Sequence, residues 1–217
     1  RFSHTSECFN EICRRHQDDT TIHYHLFENS ASNVLEDIVD GKSNIGVLHY
    51  STTNESMSQR SFADKKLNFI PLATFRPYVC LAADHPVLKG KTKSAIEIGE
   101  LKDYGFVRYA VQYDDFIYHI ASDIGLIDLN ESQKIIYVCD RQEQMRLIQS
   151  TSFYTIGISE FSGQSELYQV ISVPLLQSTE HLTFGIVTRK DTVLSPLEEE
   201  FKEEVISRYR TLSDSEL

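Results

Sequence analysis

Two short apolar runs, at 69–72 and 78–83, stand almost end to end, with only Phe75-Arg76-Pro77 at the joint. Pro77 has no backbone N–H and a fixed φ. It also pushes Arg76 toward extended backbone. The pair therefore reads as one extended chain passing from one sheet to another, not as a hairpin. The second run stops at Asp84-His85-Pro86; a polar loop, a short helix from Ile96 to Leu101 and a further strand follow. A chain that crosses over in this way builds two lobes.

The rest of the chain supplies elements for both. Thr5 or Ser6 can cap a first helix carrying Cys8, Phe9, Ile12 and Cys13 on one face. Residues 21–27 alternate Ile22, Tyr24 and Leu26 against His23, His25 and Phe27, the period of a strand. Residues 30–40 read as a helix with Val34, Leu35, Ile38 and Val39 inward and Gly41 past its end. A buried strand at 45–49, a polar helix at 54–66 anchored by Met57 and Phe62, and a strand at 67–74 complete the first lobe's opening. The second lobe repeats the theme: strand 105–109, helix 114–124 closed by Gly125, strand 135–139, helix 141–150, strand 155–159. Residues 170–175 form the return crossing. A strand at 181–189 and a last helix follow. Ser195 caps that helix, Pro196 suits its first turn, Glu198 completes a capping box, and Leu197, Phe201, Val205 and Tyr209 form the buried stripe.

Strand–helix alternation predicts parallel sheets flanked by helices. The predicted fold is α/β, with two Rossmann-like lobes of periplasmic-binding-protein-like (type 2) architecture joined by two hinge crossings. Lobe I is discontinuous, 1–75 and 174–217, and lobe II is inserted, 76–173. In open α/β sheets a ligand sits at the carboxyl ends of the strands, and in a two-lobed chain those ends face one cleft.

Composition narrows the function. Of 217 residues, 41% are hydrophobic and 24% charged, enough apolar material for two small cores. No run approaches the roughly 18 apolar residues of a membrane span. The chain opens on Arg1 without a visible leader. Thirty-two acidic against twenty-one basic residues give a net charge of −11, which repels nucleic acid phosphates. Cys8, Cys13, Cys80 and Cys139 form no Cys-x-x-Cys pair. Cys80 and Cys139 fall in apolar strands, where a thiol acts as a small hydrophobe. The pattern fits a reducing cytoplasm. No Gly-x-Ser-x-Gly elbow, P-loop or Gly-x-Gly-x-x-Gly is present, so no enzyme and no cofactor is expected. His23 and His25 share a strand face but have no acidic or cysteine partner at metal-ligand spacing.

One family fits this order. Asp84, His85, Pro86, Val87 and Leu88, then Ile98, Leu101 and Phe106, resemble the second-lobe opening of LysR-type transcriptional regulators. The passage from Asp40 to Val47 is similar to that family's Gly-x-x-Asp-Ile-Gly-Ile, with Asn44 where Asp is common. The run Leu182 to Val187, followed by Leu194-Ser195-Pro196, resembles its last strand and helix. Between Ile148 and Ile158 only the closing Gly157-Ile158 of the family's Val-x-x-Gly-x-Gly-Ile is kept. The resemblance implies a cytoplasmic, bacterial-type effector-binding domain that binds a small molecule, pairs as a homodimer, does not engage a membrane, and meets promoter DNA only through an N-terminal winged helix-turn-helix absent from these residues. The alternative is a solute-binding protein of a transporter with the same fold.

Ligand candidates follow from strand ends and helix starts. Ser3, His4, Thr5 and Ser6 open the first helix, where N–H groups and hydroxyls suit an anion. His49, Tyr50 and Ser51 end a strand; Thr74, Phe75 and Arg76 sit at the crossing. In lobe II the strand ends give Arg108 and Tyr109, Asp140 and Arg141, and Ser159 and Phe161. An arginine can clasp a ligand carboxylate with two N–H groups. Tyr and Phe, eleven and twelve in number, can stack on a flat ring. The expected effector is anionic or aromatic.

Overall fold

The computed structural model describes residues 3–89, 95–110, 119–123, 125–158, 168–176 and 178–215. The chain divides into two compact units. The first comprises 1–50, 54–74 and 183–217; the second comprises 51–53 and 75–182. Residues 75–182 thus belong to the second unit and 183–217 to the first.

In the first unit, α1 (Ser3–Arg15), α2 (Ala31–Val39), β1 (Gly46–Ser51), α3 (Glu55–Asp64) and β2 (Leu67–Phe75) precede the crossing. After the return come β10 (Leu182–Arg189) and α5 (Pro196–Ser215). The sheet runs β1-β10-β2. Alternation along β1 sorts its side chains. Leu48 and Tyr50 join Ile38 of α2, Phe62 of α3, Leu67 and Val187 in one core, while His49 stacks on Phe184 on the opposite face. Ser30 caps α2 and, as predicted, Ser195 caps α5, whereas Thr5 and Ser6 lie inside α1 instead of capping it. Ser30 Oγ accepts the Asn33 N–H at 3.3 Å. Ser195 and Glu198 exchange bonds, with the Ser195 N–H reaching the Glu198 carboxylate at 2.7 Å. Gly41, at φ +72°, takes the left-handed turn after α2.

Two expectations for this unit are corrected. Residues 22–30 form no helix or strand. Period-2 patterning makes a strand only where a neighbour offers a ladder, and none of the described strands pairs with this segment. Met57, expected as an anchor, is 71% exposed, and Val39 at the end of α2 is also exposed.

In the second unit, β3 (Tyr78–Ala82), β4 (Phe106–Tyr109), β7 (Ile135–Val138), β8 (Tyr154–Gly157) and β9 (Val170–Pro174) form a sheet ordered β7-β4-β8-β3-β9. It is mixed, not wholly parallel: β4 runs parallel to β7 and β8, whereas β3 runs antiparallel to β8 and β9. Its pleat divides two cores. Cys80, Val107, Val138 and Val170 pack with Met145 and Ile148 of α4 (Arg141–Ser150). Val79, Leu81, Phe106 and Tyr154 pack on the other face with Ile96, Leu101, Ile120 and Leu129.

The helix expected at 114–124 lies partly outside the described residues, and its end is not helical. Residues His119–Ser122 (β5) pair antiparallel with Gly125–Asp128 (β6), bringing Ile120 opposite Ile127. Cys139 is exposed rather than buried. Burial raises the Cys80 thiol pKa to about 12 and keeps it a hydrophobe. His85 is buried in its turn. Its Nδ1 accepts the Val87 N–H at 3.1 Å, which leaves Nε2–H to donate to Ser152 O at 3.1 Å.

Candidate functional site

The parallel strands of the second unit bring four of the expected residues to one edge. Arg108 and Tyr109 close β4, in register with Tyr137 and Val138 of β7. The Ala110 N–H extends this ladder to Val138 O at 2.8 Å. Directly after β7 come Asp140 and Arg141, where α4 begins. Carboxyl ends of parallel strands and the start of a helix thus meet, which is where open α/β sheets bind ligands. Four side chains scattered through the sequence converge here because β4 and β7 end level with each other.

Arg108 is the charged centre of this edge. It is only 7% exposed. Its Nη1 donates to Asn130 Oδ1 at 2.8 Å and its Nη2 to the Tyr137 hydroxyl. The guanidinium carbon stands 4.7 Å from the centre of the Tyr137 ring, a cation–π contact. These two hydrogen bonds fix the plane of the fork. The turn carrying Asn130 is itself held by Asp128, whose Oδ1 accepts the Asn130 N–H at 2.8 Å. That bond is the main cause of the lowered Asp128 pKa, and Arg108 adds to it. Asp140 caps α4 by accepting the Glu143 N–H at 2.8 Å. Its carboxylate therefore serves the helix.

A second polar centre of this unit was not legible in the sequence. Glu180, 2% exposed, precedes β10. It accepts hydrogen bonds from Ser51 and Thr53 and from the Ala121 N–H of β5. Ser51 was an expected site residue; Glu180 and Thr53 were not. Nothing in spacing links a glutamate to hydroxyls over a hundred positions away.

The remaining candidates fall elsewhere. His4 is 1% exposed and meets Tyr209 edge to face, with ring centres 6.1 Å apart. Thr5 Oγ1 lies 3.3 Å from the Tyr209 hydroxyl. Ser6 donates to Glu28 Oε1 at 3.2 Å, and Ser3 begins α1. His49 packs on Phe184 at 5.0 Å, and burial depresses its pKa to about 3, so it is neutral near pH 7. Tyr50 sits in the core, its hydroxyl donating to Glu55 and accepting from Gln59, each at 3.3 Å. Phe75 is 2% exposed. His4, His49, Tyr50 and Phe75 are thus buried and packed within the first and second units. Thr74 lies 3.4 Å from Thr183 across two strands, and Arg76 is exposed. Ser159 and Phe161 lie outside the described residues. Among the described residues no group of His, Cys, Asp or Glu is arranged to hold a metal ion. His25 stacks on Phe27.

With this geometry in place, comparison decides the family. The model of the LysR substrate binding domain matches residues 4–210. The chain belongs to the LysR substrate-binding domain family. Among curated relatives, this LysR-type domain is 23% identical over 199 residues to the uncharacterized HTH-type transcriptional regulator YbhD of Escherichia coli K12. That match covers 81% of the chain and 51% of the relative, so the chain spans about half the length of the protein it matches. Solved structures share the two-lobed fold. The effector-binding domain of QuiR in complex with shikimate is 18% identical, with a TM-score of 0.62, over 95% of this chain and 90% of that one. The BenM effector-binding domain with its effector benzoate is 19% identical, with a TM-score of 0.61, over 95% and 86%. The regulatory domain of MetR from N. meningitidis is 11% identical, with a TM-score of 0.63, over 95% and 88%. These relatives are regulatory domains. No described helix is long and apolar enough to cross a membrane.

Proposed function

We propose that this LysR-type domain senses a small organic anion at the carboxyl edge of the second unit's sheet. The observation that carries the reading is Arg108: a buried guanidinium, oriented by Asn130 and Tyr137, beside the start of α4. A fixed fork and the positive end of a helix both favour a carboxylate. The shikimate and benzoate found with QuiR and BenM carry one. Tyr109 and Tyr137 offer ring faces to an aromatic or cyclic body. A ligand of this kind regulates only by binding one conformation better than another.

The whole protein then acts as a cytoplasmic, dimeric transcription regulator. Its DNA contacts lie in a part of the polypeptide other than these acidic residues, whose net charge of −11 opposes phosphate binding.

Thermal-shift titration with benzoate and shikimate tests the site. A binder raises the melting temperature in proportion to RT ln(1 + [L]/Kd). Arg108→Ala is expected to weaken binding by about tenfold or more, the size of a charge-assisted hydrogen bond. Arg141→Ala should weaken it less. Circular dichroism of Arg108→Ala separates lost binding from lost folding. If both variants keep the full shift, the anion site is not here.

A further inference from the structure

Ser51, at the end of β1, is an expected ligand contact, and the structure gives its hydroxyl a definite polarity. A carboxylate only accepts, and a hydroxyl has a single hydrogen to give. Ser51 Oγ gives its hydrogen to Glu180 Oε1, and accepts the Thr53 N–H at 3.1 Å. Thr53 Oγ1 lies 3.0 Å and 3.2 Å from the two Glu180 oxygens and gives its hydrogen there too. The Ala121 N–H reaches Oε2 at 3.1 Å. All these partners are neutral, and among the described residues no lysine, arginine or histidine pairs with Glu180. Among the described residues the group thus presents lone pairs and a carboxylate that no cationic side chain meets. Thr53 is exposed, so this face is open to solvent.

We propose that Glu180 determines specificity at this point: the effector group that meets Ser51 and Thr53 is a hydrogen-bond donor, a primary ammonium, and a carboxylate is excluded there. This rests on the reading of the domain as a small-molecule sensor and refines which molecules it takes. An anion would face a like charge, which opposes binding. An ammonium supplies both the missing counter-charge and donors for the free lone pairs of Ser51 and Thr53.

The test is isothermal titration of the purified chain with two matched pairs, benzylamine against benzoate and cyclohexylmethylamine against cyclohexanecarboxylate. The amines are expected to bind wild type. Glu180→Gln should weaken amine binding by about tenfold or more, as loss of a neighbouring opposite charge does, while leaving acid binding unchanged or stronger. Thr53→Val, at an exposed position, should weaken the amines several-fold and covers the case in which Glu180→Gln fails to fold. Amine affinity unchanged in Glu180→Gln, or in Thr53→Val where Glu180→Gln does not fold, overturns the proposal. So does wild type binding acids but no amine, and the sensor reading survives that outcome. If no member of either pair binds at millimolar concentration, the sensor reading fails and takes the proposal with it.

Discussion

The two units bury polar side chains in opposite ways. In the first unit, His49 and Tyr209 pack on Phe184, and His4 meets Tyr209 edge to face. His49 there is neutral, its pKa pushed down to about 3 by burial. In the second, Arg108 and Glu180 are buried among neutral partners, Asn130 and Tyr137 for one, Ser51 and Thr53 for the other. A neutral ring inside a core needs only shape and a few contacts. A buried charge needs partners that answer it, and the second unit supplies them from side chains and backbone. The proposed anion site lies on the charged side of this contrast, in the second unit.

The largest expected effect tests the packing half. Phe184, 1% exposed, touches both His49 and Tyr209. Phe184→Ala should cost about 3–5 kcal/mol, the range for deleting a buried aromatic. Urea unfolding would register it as a lower midpoint. A cost near zero would mean that the rings do not form a core.

Acid gives the next effect. The His49 pKa falls from an ordinary 6.5 to about 3 on folding. The unfolded chain therefore takes up a proton that the folded one refuses. Stability is fully present above about pH 6.5 and drains as pH falls, by up to about 1.4 kcal/mol per pH unit, until about pH 3. His49→Phe removes this proton uptake. Chemical unfolding at pH 7 and pH 5 should show the wild type losing about 1–2 kcal/mol more than the variant. Parallel losses would place the acid sensitivity elsewhere.

How much of this was legible in the sequence differs between the units for a physical reason. Caps and strands leave local traces. Ser195-Pro196-Leu197-Glu198 announced the start of α5, Gly41 the end of α2, and the apolar run at 181–189 the strand β10. Residues 21–27 carried the same local signal and still formed no strand, because a ladder depends on a neighbour that patterning does not contain. The β5–β6 hairpin was misread as a helix: Phe116, Ile117 and Ile120 fit a helical stripe, but Ile120 and Ile127 find each other across the hairpin. Arg108 was found by a fold-level rule about strand ends. Asn130 and Tyr137, which orient it, were not, since only the register of β4 on β7 sets Tyr137 beside Arg108. Glu180 left no trace at all. Its partners at 51, 53 and 121 are assembled by the chain crossing.

The smallest effect separates the two roles an edge residue can have. Asp140 lies at the same edge as Arg108, yet its carboxylate accepts the Glu143 N–H at 2.8 Å and caps α4. If it serves the helix alone, Asp140→Ala should cost about 1 kcal/mol of stability, the usual worth of an N-cap. Asp140→Ser, which also caps, should restore most of that. Binding of a small acid should be unchanged or slightly stronger in both variants, because a negative charge beside Arg108 has gone. A loss of acid binding in Asp140→Ala that Asp140→Ser does not repair would make Asp140 a ligand contact. The edge would then recognise its effector with both charges, and the division between a packing unit and a binding unit would have to include a donor on the ligand at this edge as well.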